Sequence, residues 1–149
     1  MQAGLLGKGP DQVTLGGVKA KQIAYRGNEF VVLACTAPGD YAARNLVRLL
    51  ARCELPDDGS GKAKVVWEVP WEGGRRLELQ SLMSAPPALA VAGDAVLIGW
   101  DKQLRRYRLG DGSFQASLDL PAPVTQAGIA VAGGQVIVSC VDGTVMALR

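Results

Sequence analysis

The segment LAVAGDAVLI at residues 89–98 returns as IAVAGGQVIV at residues 129–138, and a more diverged copy, IAYRGNEFVV, stands at residues 23–32. The copies begin at positions 23, 89 and 129 and hold Gly27, Gly93 and Gly133 in register. Such repetition restricts a chain to architectures of stacked equivalent units, none of which buries its apolar surface alone. Each copy reads as a short strand, a tight turn at Gly27-Asn28, Gly93-Asp94 or Gly133-Gly134, and a second strand running back. The second strands, Phe30-Val31-Val32-Leu33, Val96-Leu97-Ile98 and Val136-Ile137-Val138, are apolar at consecutive positions. A strand with one wet face would alternate, so both faces of these strands are expected to be buried.

The match continues downstream. Asp101-Lys102-Gln103-Leu104 aligns with Asp142-Gly143-Thr144-Val145 and leads into a third strand, for which the first copy offers Leu50-Ala51-Arg52-Cys53-Glu54-Leu55. A turn at Pro56-Asp57-Asp58-Gly59 parallels Leu109-Gly110-Asp111-Gly112. A fourth strand carrying an aromatic follows, Val65-Val66-Trp67-Glu68-Val69 in one copy and Ser113-Phe114-Gln115-Ala116-Ser117-Leu118 in the next. The unit is a four-stranded antiparallel meander of about 40 to 45 residues.

The last copy stops after its third strand, at Arg149. Counting back from Ile23 by the offset between Phe114 and Ile129 puts a matching fourth strand near residues 10–15, where Gln12-Val13-Thr14-Leu15 stands. The expected fold is therefore all-β, with units at residues 22–70, 88–121 and 129–149, the last completed by residues 10–15. That makes about three blade equivalents, one split between the termini, and an N-terminal strand placed there would remove an open sheet edge. Residues 36–45 and 72–87 interrupt the period and read as loops. Residues 41–52 also contain helix formers with apolar positions at 46, 49 and 50, but the repeat register favours a strand.

Composition narrows the function classes. With 149 residues, 19 Gly and 8 Pro, 48% hydrophobic and 20% charged positions, the chain reads as one globular, loop-rich segment. Sixteen Lys+Arg against fourteen Asp+Glu give +2, and aromatics are 5%, which argues against a nucleic-acid partner that needs many phosphate contacts and stacking faces. No stretch reaches the roughly 18 apolar residues of a membrane span. Residues 1–15 lack the basic segment and apolar core of an export signal.

Histidine is absent and Cys35, Cys53 and Cys140 are widely spaced, which removes Ser-His-Asp and Cys-His catalysis, His-ligated metals and CxxC motifs. The thiols, set among apolar neighbours, read as small hydrophobes. Asp57, Asp58, Asp101, Asp111 and Asp142 stand at turn positions, where Asp caps its own backbone. No catalytic residue, metal ligand or cofactor ligand is assigned.

Two groups are candidate contacts for a ligand or partner. Arg75 and Arg76 in the second insertion, with Arg105, Arg106 and Arg108 on the third strand of the middle unit, present guanidiniums suited to bidentate binding of an acidic peptide or carboxylate. Leu104, Tyr107 and Leu109 would account for burial of that strand and leave its arginines outward. Trp100, at the end of the second strand of the same unit, is the other candidate.

The stretch Val131-Ala-Gly-Gly-Gln-Val-Ile-Val-Ser-Cys-Val-Asp-Gly-Thr-Val-Met-Ala-Leu148 resembles the PQQ-like (quinoprotein-like) β-propeller repeat, and with the other copies the resemblance extends over residues 22–149 outside the insertions. It implies the C-terminal blades of a propeller, with Trp67 and Phe114 matching the aromatic that docks one blade on the next. The sequence departs from the family where its Ala-x-Asp-x-x-Thr-Gly-x-x-x-Trp motif is degraded at residues 53–59 and where Phe114 replaces Trp.

Three blades fall short of the about four to eight that suit a ring. The resemblance therefore implies either self-association, such as a homodimer giving six blades, or further blades from a longer chain. The function it implies is a non-catalytic scaffold for protein interaction or ligand sensing, with no cofactor. Its alternative is a fragment of a PQQ-dependent dehydrogenase holding PQQ with Ca²⁺, an ion that takes six or more oxygen ligands. It also implies a periplasmic or other extracytoplasmic location.

Overall fold

The computed structural model describes residues 14–15, 18–35, 48–55, 63–70 and 87–149. Every regular element among them is a strand: β1 (Thr14–Leu15), β2 (Val18–Arg26), β3 (Glu29–Cys35), β4 (Arg48–Glu54), β5 (Lys64–Pro70), β6 (Ala88–Ala92), β7 (Ala95–Trp100), β8 (Gln103–Arg108), β9 (Phe114–Asp119), β10 (Val124–Ala132), β11 (Gln135–Cys140) and β12 (Val145–Leu148). They form three antiparallel meanders with strand orders β1-β2-β3-β4-β5, β6-β7-β8-β9 and β10-β11-β12. The fold is all-β and its sheets have blade form, as the repeat implies. The chain divides into two compact units, residues 1–76 with the first sheet and residues 77–149 with the other two.

The three repeat hairpins close as expected. Register pairs Arg26↔Glu29, Ala92↔Ala95 and Ala132↔Gln135 leave two-residue turns. Gly27, Gly93 and Gly133 take φ of +59°, +58° and +57°, a region in which a Cβ would clash with the backbone. The second strand of each hairpin sits between two neighbours. In the first two sheets it is covered on both faces, with Val31, Val32 and Leu33 in β3 and Val96 and Ile98 in β7 at 0–1% exposure. Each such side chain contributes about 1.5–3 kcal/mol by leaving water.

Arg48–Glu54 is a strand, paired with β3 on one side and β5 on the other. Pairing overrides the helix propensity of the local sequence. Residues 36–47 and 71–86, which take in most of the two insertions, lie outside the described residues.

In the first unit Phe30, Val32, Ala51, Cys53 and Ala63 form a core cluster joined by Ile23 and Val65. Glu29 and Glu54 stand opposite in the β3–β4 register. Arg52 Nη2 donates to both, at 2.8 and 3.0 Å, and so offsets a like-charge cross-strand pair.

Among the described residues, Thr14–Leu15 pairs with β2 through Thr14↔Lys19 and Leu15↔Val18. Only Gly16 and Gly17 separate Leu15 from its partner Val18, and so short a connection makes local pairing cheap in loop entropy. Among the described residues the third sheet has three strands, and the first has one more than the four-stranded repeat unit.

In the second unit the two sheets pack face to face. Ala88, Leu97 and Leu104 of the four-stranded sheet meet Val124, Val138 and Cys140 of the three-stranded one, with Leu120 and Ala122 between. Gly99 lets β10 approach closely: a Cβ there would lie 3.0 Å from both Ile129 Cδ1 and Val124 Cγ1. The bulge in β10 between Val124 and Ile129 is pinned by Thr125 Oγ1, 3.2 Å from the Ser139 carbonyl and 2.9 Å from Ser139 Oγ.

Candidate functional site

β8 carries three of the candidate arginines, and its pleat separates them. Positions 103, 105 and 107 share one face, and 104, 106 and 108 the other. Arg105 is buried at 9% exposure, contrary to its expected outward position. Leu104 and Tyr107 lie on opposite faces of β8 and both faces are covered there, so Arg105 goes inward beside Tyr107.

Its guanidinium is held within a polar row. Arg105 Nε and Nη2 donate to Gln103 Oε1 at 3.2 and 2.7 Å, and Gln103 Nε2 donates to Asp119 Oδ1 at 3.1 Å. The Tyr107 hydroxyl is pushed above its ordinary pKa by burial, opposed by its hydrogen bond to Arg105.

Arg106 and Arg108 are exposed, as expected, each near one carboxylate: Arg106 Nη2 to Asp94 Oδ1 and Arg108 Nη1 to Asp111 Oδ2, both 3.4 Å. Such exposed pairs hold their partners weakly, and both guanidiniums remain able to exchange them for another anion. Trp100 ends β7 opposite Gln103 and is half-buried. Arg75 and Arg76 lie outside the described residues.

The turn aspartates act on their own backbone. Asp111 Oδ1 accepts from Ser113 N at 2.9 Å and Ser113 Oγ at 2.7 Å, bonds that hold its carboxyl below the ordinary range. Asp142 Oδ1 accepts from Thr144 N at 2.9 Å with the same effect. Asp57 and Asp58 lie outside the described residues.

Among the described residues no group of three or more His, Cys, Asp or Glu side chains gathers as a cation site. Cys53 and Cys140 are buried free thiols, and burial, with the Glu68 charge, pushes Cys53 up to about 11. Cys53 is a core hydrophobe at neutral pH.

Of the two aromatics expected to dock blade on blade, Trp67 is half-buried on β5 and Phe114 is 56% exposed and stands edge-on to Tyr107, ring centroids 5.6 Å apart.

One concavity of the second unit was not among the candidates. A half-open cleft of about 420 Å³ runs between β12 and the outer strands of the four-stranded sheet. Leu104 and Arg106 of β8, Ala116 and Leu118 of β9 and Leu148 of β12 form its walls, with Arg149 at one end. The missing fourth strand of the last repeat was the sequence signal for it.

In comparisons with known proteins, no family model and no curated protein matches the chain. Among solved structures it is similar to the computationally designed Ika8 protein, at 18% identity and a TM-score of 0.42, covering 88% of this chain and 46% of that one. It is also similar to the computationally designed Ika4 protein, at 14% identity and a TM-score of 0.47, covering 100% of this chain and 99% of that one.

Proposed function

We propose that the chain is a non-catalytic, PQQ-like β-propeller scaffold that completes its ring by self-association and acts by binding a protein or ligand. The observation that carries this reading is the strand count: sheets of five, four and three strands in a chain whose repeat unit has four. The third sheet ends on β12 with one edge unpaired among the described residues. A row of open N–H and C=O groups of this kind is a template for another strand. Arg106, Arg108 and Trp100 are the described residues through which a bound acidic partner would be held, by exchange of the weak Asp94 and Asp111 pairs.

Native mass by size-exclusion chromatography with light scattering tests the reading. A mass of two or three times 15.6 kDa supports it, and a single-chain mass at all concentrations overturns it.

A further inference from the structure

The cleft occupies the place of a strand. In the four-stranded sheet β9 lies beside β8, and the register pairs Leu104↔Leu118 and Arg106↔Ala116 put all four side chains on one face. Across from that face the three-stranded sheet presents Val136 and Leu148 and then stops at β12. A fourth strand beside β12 would lie over Ala116 and Leu118, which are exposed. The space left between β9 and the β12 edge is the cleft.

Resting on the self-association reading, we propose that this cleft receives residues 10–15 of a second copy as the fourth, antiparallel strand of the last sheet. Three observations converge on that occupant. First, the repeat register places a fourth strand near these residues, since the copy of Phe114–Asp119 falls at residues 8–13. Second, their alternation suits the cleft: Asp11, Val13 and Leu15 share one face of an extended strand, and Gln12 and Thr14 take the other. Val13 and Leu15 match the apolar wall of Leu104, Ala116, Leu118 and Leu148.

Third, charge fixes the direction. A strand antiparallel to β12 begins beside the Leu148 end, where Arg149 and Arg106 line the cleft. That order sets Asp11, the one acidic residue in the first fifteen, against two guanidiniums. The reverse direction would place Leu15 there. Within a single chain Thr14 and Leu15 make only two register pairs with β2. Moving to a partner gives these up for a longer pairing with β12 and burial of two apolar side chains.

The test compares native mass across dilution for the full chain and three variants, with circular dichroism as the check on folding. Leu118→Arg sets a charge in the wall at a position already 42% exposed, so the fold tolerates it, and the expected result is self-association weaker by about tenfold or more. Asp11→Arg and Arg106→Asp are each expected to weaken association about threefold, and combined to restore it. An assembly unchanged by Leu118→Arg and by both charge variants overturns the strand assignment and leaves the self-association reading standing. A chain that is monomeric throughout overturns both. A synthetic peptide of residues 8–17 supplies a second readout, since it should compete with assembly of the full chain, and failure to compete at a large excess counts against the assignment.

Discussion

Leu104 and Leu118 are register partners on one face of the second sheet, yet Leu104 is 7% exposed and Leu118 42%. One strand of that sheet is roofed by the neighbouring sheet and the next is not. A repeat whose units have four strands leaves such a step where one unit has three. An apolar side chain beside an open strand edge is the kind of surface on which the proposed self-association would act.

The pleat of β8 predicts opposite outcomes for two adjacent arginines. Arg105→Ala removes a buried guanidinium and leaves Gln103 and Tyr107 with unmet polar groups, a loss of about 2 kcal/mol. Arg106→Ala breaks only an exposed contact with Asp94 and should change stability by under about 0.5 kcal/mol. Urea denaturation of both variants makes the comparison, and equal losses would contradict the placement of Arg105.

Gly99→Ala should destabilise the second unit by roughly 1–3 kcal/mol, because the new methyl meets Ile129 and Val124 at 3.0 Å and β10 must move outward. Thermal unfolding reads the loss. A neutral result would mean that β10 does not lie close over Gly99.

Cys53 should resist thiol reagents in the native state. Its folded pKa, about 11, is above the ordinary 9.0, so the thiolate is scarce at pH 8 and the group is covered by the core. The sign for stability follows: the contribution is fully present below about pH 9 and is lost as pH rises toward 11. Labelling at pH 8 with and without denaturant measures this, with modification of Cys53 expected only on unfolding.

Asp111 gives the acid counterpart. Ser113 holds its pKa below the ordinary 3.8, so its contribution is present above that value and is lost as pH falls through the folded pKa. Asp111→Asn keeps an oxygen acceptor for Ser113 but cannot titrate there. It should flatten the acid limb of the stability curve, and an unchanged limb would mean that the turn does not contribute.

Much of this architecture is legible in the sequence where the determinants are local. A glycine at the first turn position, an apolar run behind it and the same pattern again later are enough for the hairpins around Gly27, Gly93 and Gly133. The strand at Arg48–Glu54 is legible through the repeat, although its own residues favour a helix. Arg105 is not legible in this way. Treating Leu104, Tyr107 and Leu109 as one buried set ignores the two-residue period, and both faces of β8 are covered by neighbours that β8 itself does not specify.

Two further features depend on competition between pairings. The repeat puts a fourth strand near residues 10–15, and the two glycines before Val18 make pairing of Thr14 and Leu15 with β2 available at low entropic cost. The cleft follows from which edge of which sheet lacks a strand, and so it emerges only after the strands are counted in space. Its residues, Leu104, Ala116, Leu118 and Leu148, look like ordinary strand positions in the sequence.

Hydrogen exchange at β12 tests the central claim most directly. Alternate backbone amides between Val145 and Leu148 bond to β11, and the others point to the open edge. If a second copy supplies the fourth strand, the edge amides should be protected at high protein concentration and lose that protection on dilution, while the β11-bonded amides hold theirs. Edge amides that exchange as open groups at every concentration would contradict the account.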